Sequence, residues 1–234
     1  MTPARAVLLD IEGTTTPIAF VKDVLFPFAR SNAASFLAAH RQDPEVQADL
    51  ALLAEERRRE NHYKDAAPPG ESSDPLPFLF WLMDRDRKST ALKALQGRIW
   101  REGYESGALV SEVYPDVVPA LARFRAAGIG VSIYSSGSVL AQRLLFAHTN
   151  GGDLRPYLSA YFDTTAGGKK EPASYTRIAS ELGLAPGQIL FVSDVAEELD
   201  AAEQAGMEVA LCVRPGAPEP TSSRHRVVRS LDEI

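Results

Sequence analysis

An α/β fold is predicted, with a parallel sheet as its core and a helical domain inserted after the first strand. Three observations predict it. The short apolar run Val7, Leu8, Leu9 ends at Asp10, as a parallel strand covered on both faces does. Residues 17 to 114 then keep helical periodicity and contain no convincing strand. From Tyr114 onward, apolar strand-length runs alternate with helix-length segments, the pattern of repeated βαβ units. The domains drawn from this are a core of residues 1–16 and 115–234 and a helical cap of residues 17–114.

Composition bounds the rest. A chain of 234 residues can bury one sizeable core, or a main domain and a smaller one. Its 45% apolar and 24% charged residues are ordinary for a soluble globular protein. A formal charge of −6 and a pI near 5.3 argue against a broad surface for nucleic acid or anionic membrane, while leaving room for a local basic pocket. The single cysteine, Cys212, lies in the apolar run VALCV and reads as a packed core residue in a reducing cytoplasm. The apolar run before Asp10 is too short for a signal peptide, and PLPFLFWLM at 75–83 is too short to cross a bilayer.

In chain order, the first strand is expected at 5–11, followed by a helix over 20–40 in which Pro27 marks a kink or a fresh start. A second helix is expected over 43–63, with Asp43 as N-cap and Pro44 in its first position. Its EERRRE run, 55–60, reads as a solvated face with intrahelical charge pairs. The Pro, Gly and Ser of 66–74 predict a loop. A third helical block follows at 75–105, its aromatic residues forming the small core of the insertion. Strands are then expected near 129–134, 160–163, 189–193, 208–213 and 226–229, separated by helices at 117–127, 138–148, 173–182 and 196–205. The Pro-rich stretch 214–223 carries no obvious chemistry. None of the histidines, 40, 62, 148 and 225, has metal-ligand spacing.

Four strand ends carry polar groups. Asp10 and Glu12 precede Gly13 and a Thr run whose hydroxyl and N–H groups can face an anion. Two carboxylates there suit a hard cation, a nucleophile with a proton donor, or both. Ser135 and Ser136 open the SSGS turn at a helix start, a cradle for phosphate or simply a cap. Lys169 and Lys170 follow two glycines, and Asp194 precedes Glu197 and Glu198 in the first turn of a helix. In an open α/β sheet these positions converge on one edge.

The order of acid pair, Ser, Lys and acid resembles the haloacid dehalogenase superfamily, whose core is a Rossmann-like parallel sheet. The resemblance implies Asp10 as nucleophile, Glu12 as proton donor, and Ser135, Ser136 and Lys169 as phosphoryl-binding groups. Asp10, Glu12 and Asp194 would serve Mg²⁺. Lys169 is preferred to Lys170 because it stands three residues before Pro172. The second acid in that family is usually Asp, so Glu12 is a departure. Longer stretches, DIEGTTTPIAFVKDVLFP, DRDRKSTALKALQGRIW, EVYPDVVPAL, IYSSGSVLAQRLLF and FVSDVAEELDAAEQAG, are similar to the enolase-phosphatases of methionine salvage, or acireductone synthases. That similarity implies a Mg²⁺-dependent enzyme converting 2,3-diketo-5-methylthiopentyl 1-phosphate to the acireductone 1,2-dihydroxy-3-keto-5-methylthiopentene through an aspartyl phosphate. The expected partner is a small phosphorylated substrate, a cytoplasmic monomer is expected, and Lys88, Trp81 and Phe20 are the cap residues singled out for that substrate. A sugar-phosphate phosphatase of the same fold would keep every site residue, and a non-catalytic binding protein would most simply have lost Asp10, Lys169 or Asp194.

Overall fold

The computed structural model describes residues 4–60, 74–218 and 224–234. Two compact units divide the chain, one taking in the chain up to Val21 and from Val110, the other Lys22–Leu109. The sequence reading drew these boundaries at 16/17 and 114/115.

The helical unit holds α1 (Phe26–Ala39), α2 (Pro44–Arg59), α3 (Leu76–Asp84) and α4 (Thr90–Glu105). A π-helical stretch, Phe20–Leu25, leads into α1, which starts at Phe26 with Pro27 in its first turn, where the missing N–H costs nothing. The block expected at 75–105 is two helices, because Asp86 takes a left-handed φ of 45° and Ser89 caps α4 through the Leu92 N–H. Glu56 departs from the expected solvated face. Its carboxylate accepts from the N–H groups of Thr90 and Ala91 at 3.1 and 3.2 Å and from the Ser89 hydroxyl, so α2 neutralises the positive end of α4. Glu55 and Arg59 do form an i,i+4 pair. Trp100 Nε1 donates to the Leu25 carbonyl at 2.8 Å, and Gly103 lets Phe28 approach where a Cβ would stand 2.5 Å from its ring. The loop expected at 66–74 falls, apart from Asp74, outside the described residues, as does His62.

In the other unit six strands, β1 (Ala6–Leu9), β2 (Gly130–Tyr134), β3 (Ala160–Phe162), β4 (Ile189–Ser193), β5 (Glu208–Cys212) and β6 (Arg226–Val228), form one parallel sheet. Their order is β3-β2-β1-β4-β5-β6. Winding therefore reverses at β1, which opens a crevice beyond the carboxyl ends of β1 and β4. Alternate residues of β1 feed two cores. Val7 and Leu9 pack with α5 (Val117–Ala126) and α6 (Val139–Ala147), whereas Ala6 and Leu8 pack with α7 (Pro172–Leu182) and α8 (Ala196–Gln204). Cys212 lies in the first of these cores, and burial pushes its thiol up to about 11.

Arg214 begins the stretch that carried no evident chemistry in the sequence, and it is 4% exposed. Its Nε donates to the Thr14 carbonyl at 2.9 Å, its Nη1 meets Asp116 Oδ2 at 2.7 Å, and its guanidinium lies 4.3 Å from the Tyr114 ring centre. Asp116 also accepts from the Leu231 N–H at 2.6 Å and the Ser230 hydroxyl at 3.1 Å. Burial alone would raise the Asp116 pKa, but the Arg214 hydrogen bond, the Leu231 N–H, the Arg214 charge and the Ser230 hydroxyl outweigh it and hold it below the ordinary range. A depressed carboxylate adds stability that is full above its unfolded value, about 3.9, and is lost as pH falls through the folded one. Urea titrations should find Asp116→Asn about 1–3 kcal/mol less stable at pH 7, with a shallower loss than the parent between pH 4 and pH 2.

Candidate active site

Asp10 follows β1 and is 5% exposed. Its N–H donates to the Val192 carbonyl of β4 at 3.0 Å, and its own Oδ1 accepts from the Ile11 N–H at 2.8 Å. The Thr run does not turn its N–H groups toward a ligand, as the sequence suggested. Those of Thr14, Thr15 and Thr16 converge on the Ile11 carbonyl at 3.2, 2.9 and 2.9 Å, and the Thr15 hydroxyl bonds the Asp10 and Ile11 carbonyls. This closes a tight loop through Gly13, whose φ of +71° suits glycine and whose missing Cβ would stand 2.2 Å from Asp194 Oδ2.

Opposite Asp10 stands Lys169. Its ammonium is 2.6 Å from Asp10 Oδ1 and 2.6 Å from Glu198 Oε2. Ser193, the last residue of β4, puts its hydroxyl 2.9 Å from Glu198 Oε2 and 3.3 Å from Asp10 Oδ2, and accepts the Val195 N–H. All three charged side chains are buried to a tenth exposure or less, so each depends on the others for the solvation that water would provide.

The charges do not balance. Asp10, Glu198 and Asp194 bring three carboxylates to one ammonium. Burial pulls Lys169 down, but Asp10 and Glu198 more than compensate and keep it above its ordinary value. Burial and then the Asp10 charge raise Glu198, against Lys169 and Ser193. Asp194 is pushed up to about 7 by burial, then by Asp10 and Glu198, with Lys169 opposing. Such an excess of hard oxygen donors fits a divalent cation. Among the described residues no three His, Cys, Asp or Glu side chains form a ready metal cage.

The other sequence-predicted residues are placed as follows. Glu12 is exposed, on a turn where it bridges to Thr16. Ser135 is buried beyond β2, its Oγ accepting the Gly137 N–H at 3.1 Å, and Ser136 is half-buried. Lys170 is exposed, and so is Glu197. Trp81 is buried in the helical unit, stacked on Phe78 at 5.7 Å, and Phe20 is buried too. Lys88 pairs with Asp86 at 3.1 Å. Sequence reasoning did not separate Glu198 from Glu197, and it missed Ser193. The separating signal was helical phase, since Glu198 shares its stripe with buried Ala201 and Ala202, three and four residues on.

The profile of haloacid dehalogenase-like hydrolases matches residues 4–206. Enolase-phosphatase E1 of Synechococcus elongatus is 51% identical over 228 residues, covering 97% of this chain and 96% of that protein. The chain belongs to the enolase-phosphatase E1 family of haloacid dehalogenase-like hydrolases. The Sorangium cellulosum member is 51% identical over 232 residues, with 99% of this chain and 97% of that protein covered. Among solved structures, the UTR4 protein of Saccharomyces cerevisiae superposes with a TM-score of 0.81 at 33% identity, covering 99% of this chain and all of that one. The six-stranded parallel sheet flanked by helices is the architecture of this hydrolase family.

Glu198 and Glu197 offer a direct contrast. Glu198→Gln should lower phosphate-ester hydrolysis about 10- to 100-fold, because the Lys169 ammonium loses one of its two anchors. Glu197→Gln should stay within about twofold of the parent. Steady-state assays of the two purified variants check this, and equal activities would dissociate Glu198 from the reaction.

Proposed function

We propose that this enzyme is a Mg²⁺-dependent enolase-phosphatase of methionine salvage, acting in the cytoplasm as a monomer on 2,3-diketo-5-methylthiopentyl 1-phosphate. Phosphoryl transfer is supported above all by one contact. Lys169 Nζ meets Asp10 Oδ1 at the carboxyl end of β1, so a cation stands where phosphoryl oxygens would come to rest against a carboxylate nucleophile. Enolisation is supported by the 51% identity to Enolase-phosphatase E1 over nearly the whole chain.

In this reading a carboxylate oxygen of Asp10 attacks phosphorus, and the bond from phosphorus to the substrate oxygen breaks. Glu12 gives the leaving oxygen its proton. Water then attacks the aspartyl phosphate, passes a proton back to Glu12 and frees phosphate and Asp10. Lys169, Ser135 and Ser136 hold the phosphoryl oxygens and share the charge that develops on them. Asp10 and Asp194 would hold Mg²⁺. Bound there, the ion would supply positive charge against the phosphoryl oxygens.

Asp10→Asn keeps the shape of the side chain but not its nucleophilicity, so turnover should fall roughly 10³-fold or more while circular dichroism is unchanged. Excess EDTA should abolish activity, and Mg²⁺ should restore it better than Ca²⁺, whose looser coordination misplaces the nucleophile. Full activity in EDTA would exclude the metal role.

The double activity has its own assay. Removal of a proton from the phosphate-bearing carbon before hydrolysis yields an enediol conjugated to a ketone. With the diketone phosphate as substrate under anaerobic conditions, an ultraviolet-absorbing product should accumulate alongside phosphate. Solvent deuterium should appear on that carbon. Phosphate release with neither signature would leave a general phosphomonoesterase.

A further inference from the structure

Five successive carbonyls, those of residues 165 to 169, each accept a hydrogen bond from a side chain. Arg177 Nη1 donates to Thr165 at 3.3 Å and to Ala166 at 2.9 Å. The Tyr134 hydroxyl donates to Gly167 at 2.9 Å, the Ser174 hydroxyl to Gly168 at 2.8 Å and the Tyr175 hydroxyl to Lys169 at 2.6 Å. Gly168 also accepts the Glu171 N–H at 3.0 Å. Loop carbonyls ordinarily turn to water. Here three of them are held by hydroxyls on side chains that are at most 1% exposed.

The anchors are themselves fixed. Tyr134 ends β2, and Ser174 and Tyr175 lie in the first turn of α7. The Tyr134 and Tyr175 rings meet edge to face at 5.5 Å, and Tyr175 leans on Phe191 of β4 at 5.1 Å. Gly167, at φ +125°, leaves room for Ser174, whose Oγ would lie 2.1 Å from a Cβ there. Lys169 Nζ stands 5.8 Å from the centre of the Tyr134 ring, so one tyrosine holds the loop and faces the ammonium that the loop presents.

We propose that Tyr134, Ser174 and Tyr175 are positioning residues, whose hydroxyls clamp the carbonyls of residues 167 to 169 and thereby set the Lys169 ammonium against Asp10 and Glu198. This rests on the role assigned to Lys169 above. A long, flexible lysine side chain carries a point charge with no geometry of its own. Its placement to a fraction of an ångström must come from the backbone that bears it, and small misplacements of a charge-stabilising group are costly to rate.

The test uses Tyr134→Phe, Tyr175→Phe and Ser174→Ala in the full chain, each alone and combined with Lys169→Met. Turnover of the diketone phosphate and binding of inorganic phosphate by calorimetry are the readouts. With Lys169 present, each single variant should lose about 5- to 50-fold in kcat with less change in KM, and bind inorganic phosphate more weakly. In the Lys169→Met background the same substitutions should cost less than twofold in either readout. A merely structural role would subtract equally in both backgrounds, and that result overturns the inference. So do single variants with parental kcat beside a crippled Lys169→Met. Lys169→Met with parental kcat and phosphate affinity would instead remove the reading on which the inference rests. Ser174→Ala leaves both aromatic rings in place, so the comparison survives if a tyrosine variant fails to fold.

Discussion

A single buried ammonium shared between two carboxylates is the constraint around which the sheet unit is built. Lys169 cannot leave water without Asp10 and Glu198, and neither acid can leave water without Lys169. Removing one member of such a group strands the others, at a cost of about 3–5 kcal/mol. The surroundings answer this demand. Ser193 lends one hydroxyl to both acids, and Glu198 sits in the first turn of α8, where the helix dipole favours its charge. Gly13 gives up a side chain so that Asp194 can enter the same crevice. Even so, one cation among three carboxylates leaves the crevice negative, a charge state suited to a metal-borne phosphate ester and poorly suited to a bare one.

The helical unit solves its own problem by different means. Bonds between its helices supplement the local caps at their ends. Glu56 of α2 reaches the N-terminus of α4, and Trp100 of α4 reaches the Leu25 carbonyl ahead of α1. Arg98 joins two acids of α2, Glu45 and Asp49. These bonds span many residues of sequence, so the unit depends on tertiary pairing more than on helix propensity.

Much of this was legible in the chain. Asp10, Lys169 and Asp194 stand out because each closes an apolar strand or follows paired glycines, and the order in which they occur is itself informative. Glu198 was visible but not distinguishable from Glu197, since both satisfy the same helix start and only the buried stripe of α8 separates them. Ser193 read as the end of a strand, which it is, and nothing local announces that its hydroxyl is shared by two acids. The break at Asp86 was hidden by good helix formers on either side. Arg214 was unreadable for a different reason. Its partners Thr14 and Asp116 are 200 and 98 residues away, and no local pattern encodes contacts of that range.

That separation has a consequence in time. A ribosome makes Thr14 early and Arg214 two hundred residues later, and the Ser230 and Leu231 groups that steady Asp116 later still. The loop that follows Asp10 therefore waits, during synthesis, for its carbonyl to be claimed. Local helices can form as they emerge, whereas this contact cannot form until Arg214 has been made. A nascent chain thus carries Asp10 without the brace that shapes the turn beside it until Arg214 has been made, and the shaping of the crevice waits on that residue.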